Sequence, residues 1–312
     1  MSERTVTVTV DGQEVTVPEG STLLDACQAL QIDTPTLCYG ETLTPANACR
    51  VCMVALEGAR TLVPSCSRRA QDGMVVFTDT ERVRLNRKMV LELLASSVDL
   101  STTPGIEVWL DRYEAAPERY GPPAPPDPDR GHHQTGHHTV PDGQTAATVA
   151  GPAMVDNELY MRDYSKCVLC YKCVDACGEQ HQNTFAITVA GRGFDAHIST
   201  EYANPLPESA CVYCGNCIGV CPTGALMPVS EYELREAGRW DEARQTETET
   251  ICAFCGVGCS LTLHVQDETI VKVSSPADHD VTLGNLCVKG RFGYEHVAPR
   301  ARPVTGPDSA HP

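Results

Sequence analysis

Cys167-Val-Leu-Cys-Tyr-Lys-Cys-Val-Asp-Ala-Cys177 and Cys211-Val-Tyr-Cys-Gly-Asn-Cys-Ile-Gly-Val-Cys221-Pro222 are the two stretches that decide how this chain is read. Both have the spacing C-x2-C-x2-C-x3-C, which puts four thiols into eleven residues, twice over. Thiolates are soft ligands suited to iron–sulfur clusters and to zinc. Zinc sites usually present two separated ligand pairs, so runs this compressed point to clusters, with zinc as the alternative.

The repeat is the arrangement of bacterial two-cluster ferredoxins, in which three thiolates of one run wrap a cluster and the fourth serves the other. That rule assigns Cys167, Cys170, Cys173 and Cys221 to one [4Fe-4S] cluster and Cys177, Cys211, Cys214 and Cys217 to a second. Since the ligands cross, neither half should fold well alone. Gly215 and Gly219, lacking a Cβ, are expected to let backbone N–H groups approach the sulfurs, where hydrogen bonds tune the potential.

Two more sets flank this repeat. Cys38, Cys49, Cys52 and Cys66 are spaced C-x10-C-x2-C-x13-C, and Cys252, Cys255, Cys259 and Cys287 are spaced C-x2-C-x3-C-x27-C, which fits one further [4Fe-4S] cluster. Of the 17 cysteines only Cys27 is left over. It falls inside a predicted helix, where a small buried hydrophobe is expected. No acid–base pair or nucleophile stands beside these sets, so no catalytic residue is assigned.

The 312 residues hold 24 Lys+Arg against 41 Asp+Glu, a net charge of −17. That balance argues against nucleic-acid binding, whose affinity comes from cations displacing counterions at phosphates. No apolar leader opens the chain and no apolar run approaches the roughly 18 residues of a membrane span. Many closely spaced cysteines, odd in number, fit metal binding in a reducing compartment better than disulfides, so the expected location is cytoplasmic. Aromatics make up only 5%, which suggests small modules held by more than hydrophobic burial.

Alternation over Thr5 to Val10 and Glu14 to Val17, broken by Asp11-Gly12, predicts an opening β-hairpin. Ser21 to Asp25 caps a helix running to about Leu30. Short strands are expected around Val51 to Leu56 and Met74 to Phe77, and the apolar period of Val83, Val90, Leu91 and Leu94 predicts a helix packing on its own domain. Leu261 to Val265 and Ile270 to Val273 read as another hairpin. The Pro-rich run after Gly121, with His132, His133, His137 and His138, reads as a linker or exposed loop and is given no metal.

The segment from Ala48-Cys-Arg-Val-Cys to Gly58 resembles the [2Fe-2S] loop of the G-type chains of complex I and of related NAD-dependent formate dehydrogenase α subunits. Ala190-Gly-Arg-Gly-Phe-Asp195 and Cys287-Val-Lys-Gly-Arg-Phe-Gly-Tyr294 are similar to segments of those formate dehydrogenases in particular. The resemblance covers nearly the whole chain. It implies an α+β multi-domain protein: an N-terminal β-grasp [2Fe-2S] ferredoxin over 1–80, a helical extension over 81–119 and a linker over 120–155. A bacterial-type 2[4Fe-4S] ferredoxin follows over 156–230, then a charged linker over 231–249. A small β-rich four-cysteine domain of the molybdopterin oxidoreductase type over 250–300 and a tail over 301–312 complete it.

In that family electrons pass along a row of clusters between a molybdenum or tungsten bis-pterin centre and a flavin subunit that handles NAD. The resemblance therefore implies one [2Fe-2S] cluster on Cys38, Cys49, Cys52 and Cys66 and three [4Fe-4S] clusters. Lys289 matches the lysine that couples the last cluster to the pterin. Residues 67–166 contain no cysteine, so the extra cluster of longer members, with one His and three Cys ligands, is expected to be missing. Pro312 comes before the point where the pterin-binding body would begin, so that body is expected either on a partner chain that carries the molybdenum or tungsten, or beyond a truncated or split gene, or not at all if the chain is a stand-alone carrier. The expected role is an electron-transfer subunit between a molybdopterin-containing catalytic subunit and a flavin, NAD(P)H-oxidising or ferredoxin-type partner. The iron–sulfur subunit of a complex-I-like or NAD-linked hydrogenase assembly is one alternative, and an iron–sulfur redox sensor or scaffold another.

Overall fold

A computed structural model describes residues 4–121, 152–193 and 196–297. The four linker histidines, Phe194, Asp195 and the 301–312 tail lie outside the described residues.

The chain opens with β1 (Thr5–Val10) and β2 (Gln13–Pro18), paired antiparallel. Asp11 and Gly12 both take positive φ, 48° and 84°, which gives the turn the twist that two-residue hairpins need. Helix α1 (Leu23–Ala29) starts from a capping box: Asp25 N–H donates to Thr22 Oγ1 at 3.2 Å and Thr22 N–H to the Asp25 carboxylate at 2.6 Å. Strands β3 (Met53–Leu56), β4 (Val63–Pro64) and β5 (Val75–Phe77) complete a five-stranded sheet, order β2-β1-β5-β3-β4, with β1 and β5 parallel. The apolar face of α1 closes over it, joining Leu23, Ala26 and Cys27 to Val8, Val10, Val54 and Val76. Cys27 is fully buried and its thiol is pushed up to about 11 by burial, so it packs as the small hydrophobe expected of it.

Helix α2 (Glu81–Ser97) is capped by Thr80, whose Oγ1 accepts Val83 N–H at 3.2 Å. It packs on its own sheet, where Arg87 donates to the Met53 carbonyl at 3.1 Å. It also reaches beyond it: Leu91 shares a core with Leu37, Cys38 and Cys49 of the first module and Cys170 of the next. Helix α3 (Ile106–Arg112) and the turn at Pro117–Tyr120 fold back on α2, where buried Glu92 pairs with Arg119 at 2.9 Å. An Asp99–Lys166 ion pair and a 2.6 Å bond from Thr102 Oγ1 to the Thr223 carbonyl tie this extension to the middle module.

That module holds β6 (Tyr160–Arg162), α4 (Lys172–Cys177), β7 (Thr188–Ala190), β8 (His197–Ser199), α5 (Asn216–Gly219) and β9 (Leu226–Pro228). Its sheets are two strands each, β6 with β9 and β7 with β8, a size that is marginal in water without further support.

The expected charged linker over 231–249 is instead folded. Helix α6 (Val229–Glu236) occupies its start and β10 (Thr246–Ile251) its end. Glu231 is buried, but its carboxylate pairs with Arg235 one turn on, at 2.8 Å, and with Lys272 at 3.3 Å, so its charge is matched rather than solvated. Strand β10 leads a three-stranded antiparallel sheet with β11 (Ser260–Gln266) and β12 (Thr269–Ser274). Helix α7 (Val288–Phe292) packs on β12. The three modules meet at His181, which lies 3.3 Å from Thr42 Oγ1 and 3.0 Å from Asn285 Nδ2.

Candidate metal-cluster sites

Cys49 and Cys52 sit on the loop entering β3, where Asn47 and Arg50 take φ of 56° and 58°. Cys38 and Cys66 come in from neighbouring loops, and all four cysteines are buried. Cys38 lies within hydrogen-bond reach of Cys49 and Cys66, and Cys52 of Cys66. Hydrogen bonds from Cys49 and Cys66 pull the Cys38 thiol down to about 2, and a bond from Cys66 takes Cys52 down to about 6, while Cys49 and Cys66 are driven up. Four buried sulfurs this close cannot all be thiolates at low cost unless cations sit among them.

The two middle runs share one backbone course. In each, the residues on either side of the second cysteine are left-handed: Leu169 and Tyr171 at 52° and 63°, Tyr213 and Gly215 at 56° and 69°. This winding turns N–H groups inward, the geometry of an anion-binding nest. Leu169, Lys172 and Asn216 bond Cys167, Cys170 and Cys214 through their backbones, and Tyr213 N–H reaches Cys211 Sγ at 3.4 Å.

Two cavities result. One, of about 340 Å³ including its mouth, is lined by Cys167, Cys170, Cys173 and Cys221. The other, of about 420 Å³, is lined by Cys177, Cys211, Cys214 and Cys217. Each takes three cysteines from one run and one from the other. Burial pushes the Cys167 and Cys170 thiols up to about 12 and Cys173 well above its ordinary value, so thiolates here call for metal cations, and the donor set fits a cluster in each cavity.

The surroundings of the two cavities differ. Tyr160 Oη lies 2.8 Å from Cys211 Sγ and Thr184 Oγ1 lies 3.4 Å from Cys177 Sγ, whereas the other set has Thr223 Oγ1 at 3.9 Å from Cys221 Sγ. Gly215 and Gly219 also do something the sequence did not suggest. A Cβ on Gly215 would overlap the Arg291 side chain, and one on Gly219 would sit 3.2 Å from Arg291 Nη2. The space these glycines leave is filled by a side chain from α7.

In the last module Cys252, Cys255 and Cys259 lie on the loop from β10 to β11, closed by a 2.8 Å bond from Cys252 N–H to the Cys259 carbonyl. Cys287 stands at the start of α7. Burial, with Cys252, Cys255 and Cys287 around it, raises the Cys259 thiol, so the four are neighbours. Cys255 and Cys287 are exposed, as are Phe254, Val257 and Val288. Lys289 is also exposed.

A row of four-cysteine sets on small modules defines an iron–sulfur protein. Residues 3–81 match the 2Fe-2S iron-sulfur cluster binding domain, 166–225 the 4Fe-4S dicluster domain and 245–299 the molybdopterin oxidoreductase Fe4S4 domain. Among known proteins, a G-type chain of the NADH-quinone oxidoreductase of Rhizobium meliloti is 34% identical over 95% of this chain and 32% of its own. NADPH-Fe(3+) oxidoreductase subunit alpha of Geobacter sulfurreducens is 32% identical over 94% of this chain and 31% of its own. The chain is a homologue of the N-terminal iron–sulfur region of these oxidoreductase subunits, and it spans about a third of the length of the curated relatives it matches. A crystallised NAD+-reducing [NiFe]-hydrogenase chain shares the fold, with a TM-score of 0.57 and 20% identity over 72% of this chain and 87% of that one. Among the described residues no helix is long and apolar enough to cross a membrane.

Proposed function

We propose that this chain carries electrons between two redox partners through four clusters in series. A [2Fe-2S] cluster is held by Cys38, Cys49, Cys52 and Cys66 on a β-grasp module. Three [4Fe-4S] clusters are held by Cys167, Cys170, Cys173 and Cys221, by Cys177, Cys211, Cys214 and Cys217, and by Cys252, Cys255, Cys259 and Cys287. When bound, the clusters supply one-electron chemistry; the chain's own residues space, shield and tune them. The observation that carries this reading is the continuous packing of the four sets. Cys38 and Cys49 share an apolar core with Cys170, Cys217 is among the neighbours that raise Cys173, and Arg291 runs from beside Cys287 to the Cys214 loop.

The first module then faces a flavin or NAD(P)H-oxidising subunit or a ferredoxin-type acceptor. The last faces a molybdopterin-containing catalytic subunit in the cytoplasm, with molybdenum or tungsten held there. The match of the last module to the molybdopterin oxidoreductase Fe4S4 domain supports that end, and the exposure of Cys287, Lys289 and the apolar residues beside them suits a partner approaching there. Lys289, two residues from Cys287, is the residue assigned to coupling. A complex-I-like or hydrogenase assembly would use the first two modules in the same way, a reading the Rhizobium meliloti relative favours.

Anaerobic purification of the complex with metal analysis tests both. About 14 iron atoms per chain with stoichiometric molybdenum or tungsten is the expected result. The same iron without either metal favours the complex-I-like assembly, and iron far below that number sinks the four-cluster reading. A finer check is Tyr160→Phe, which removes the hydroxyl beside Cys211 Sγ. One hydrogen bond contributes about 1 kcal/mol, so one [4Fe-4S] midpoint should fall by roughly 40 mV with no loss of iron; an unchanged redox titration would count against the bond.

A further inference from the structure

Arg291 is 3% exposed, yet among the described residues no carboxylate pairs with it; the charged or ionisable groups around its guanidinium are Cys217 and Cys214. Its Nε donates to the Cys214 carbonyl at 3.1 Å, Nη2 to Asn216 Oδ1 at 3.3 Å and Nη1 to the Val273 carbonyl at 3.4 Å. Its own backbone N–H donates to the Cys287 carbonyl at 3.1 Å. Asn216 Oδ1 also accepts Leu286 N–H at 3.0 Å, so the guanidinium is fixed from both modules. Glycine at 215 and 219 makes room for it. A buried, unpaired cation costs several kcal/mol unless an anion answers it, and arginine does not escape by losing its proton.

We infer that Arg291 is the counter-charge of the cluster held by Cys177, Cys211, Cys214 and Cys217 and makes it the more easily reduced of the central pair. This rests on the reading above that these cysteines hold a [4Fe-4S] cluster. A cluster on four thiolates is a net anion and gains one more negative charge on one-electron reduction. A fixed positive charge at the Cys214–Cys217 loop favours that reduced form, since net charge is one of the determinants of cluster potential. The set with Cys167, Cys170, Cys173 and Cys221 has Lys172 beside Cys170, but that lysine is only half-buried, where solvent screens its charge, whereas the Arg291 guanidinium is enclosed. One electron therefore leaves the cluster of that set, which is oxidised, and enters the one beside Arg291, which is reduced. No proton moves, because the guanidinium is charged throughout. Arg291 is thus a positioning residue that holds the electron at the junction with the last module, and it comes from that module, so docking of α7 sets the potential.

The test is an EPR-monitored redox titration of the full, cluster-loaded chain, with the [2Fe-2S] midpoint as internal reference. Arg291→Gln keeps an amide donor for the Cys214 carbonyl but removes the charge. It should lower one [4Fe-4S] midpoint by at least a tenfold change in the reduction equilibrium, about 59 mV for one electron, while Arg291→Lys restores most of it. A purely structural clamp would leave the midpoint in place in Arg291→Gln, and intact clusters with unmoved midpoints overturn the inference. If Arg291→Gln does not fold, Cys214→Ala and Cys170→Ala decide. The central signal that Cys214→Ala removes must be the one of higher midpoint; the lower one, or two equal ones, refutes the assignment. Absence of [4Fe-4S] signals from the unaltered chain would instead defeat the underlying cluster reading.

Discussion

Cys214→Ala and Cys177→Ala are expected to lose the same [4Fe-4S] signal, although Cys177 belongs to the other sequence run. Each should cost about four iron atoms per chain, leave the [2Fe-2S] signal intact and cut electron flow through the chain to background. Cys221→Ala should instead duplicate Cys170→Ala. The grounds are the two cavities: Cys177 lines the one with Cys211, Cys214 and Cys217, and Cys221 the one with Cys167, Cys170 and Cys173. EPR of the four variants with iron analysis is the measurement. If variants pair by run, Cys177 with Cys170 and Cys221 with Cys214, the crossed assignment is wrong; unchanged spectra and turnover would remove the ligand assignment itself.

Stripping iron from the whole chain should unfold the middle module while sparing the first. The core of the middle module includes Cys173 and, packed around it, Cys167, Cys177, Cys211, Cys217 and Cys221, beside two-stranded sheets and helices of at most six residues. With so little regular structure, the module depends on ligands that tie its two runs together, since each cavity draws cysteines from both. Metal binding and folding are in this sense one free energy. The first module keeps a separate apolar core around Val8, Val10, Leu23, Val54 and Val76. After anaerobic chelation, limited proteolysis should cut within 152–230 many-fold faster than within β1 to α1. Equal protection of both regions in iron-free protein would show that the clusters do not support the fold.

Several elements were legible because their causes are local. Asp11-Gly12 dictates a hairpin, Thr22 with Asp25 a helix start, and the alternation from Leu261 a strand, and each forms where its residues require. The hidden ones have causes distant in sequence. Thr246–Ile251 alternates Thr and Glu with all six residues exposed, so no apolar face announced β10; it forms through main-chain pairing with β11. The helix α2 did show its apolar period, but not that Leu91 would meet Cys170 as well as its own domain.

The sequence alone carried the donor pattern: sixteen cysteines in four spaced sets, soft donors suited to iron–sulfur clusters. Those are properties of short covalent segments, and they survive without knowledge of the fold. Tertiary structure alone decided the order in which the sets touch, the Tyr160 hydroxyl at Cys211 and the burial of Arg291 against Cys214, residues separated by 77 positions. Such contacts depend on how whole modules pack, because a buried charge chooses its neighbours only when water has been excluded from around it.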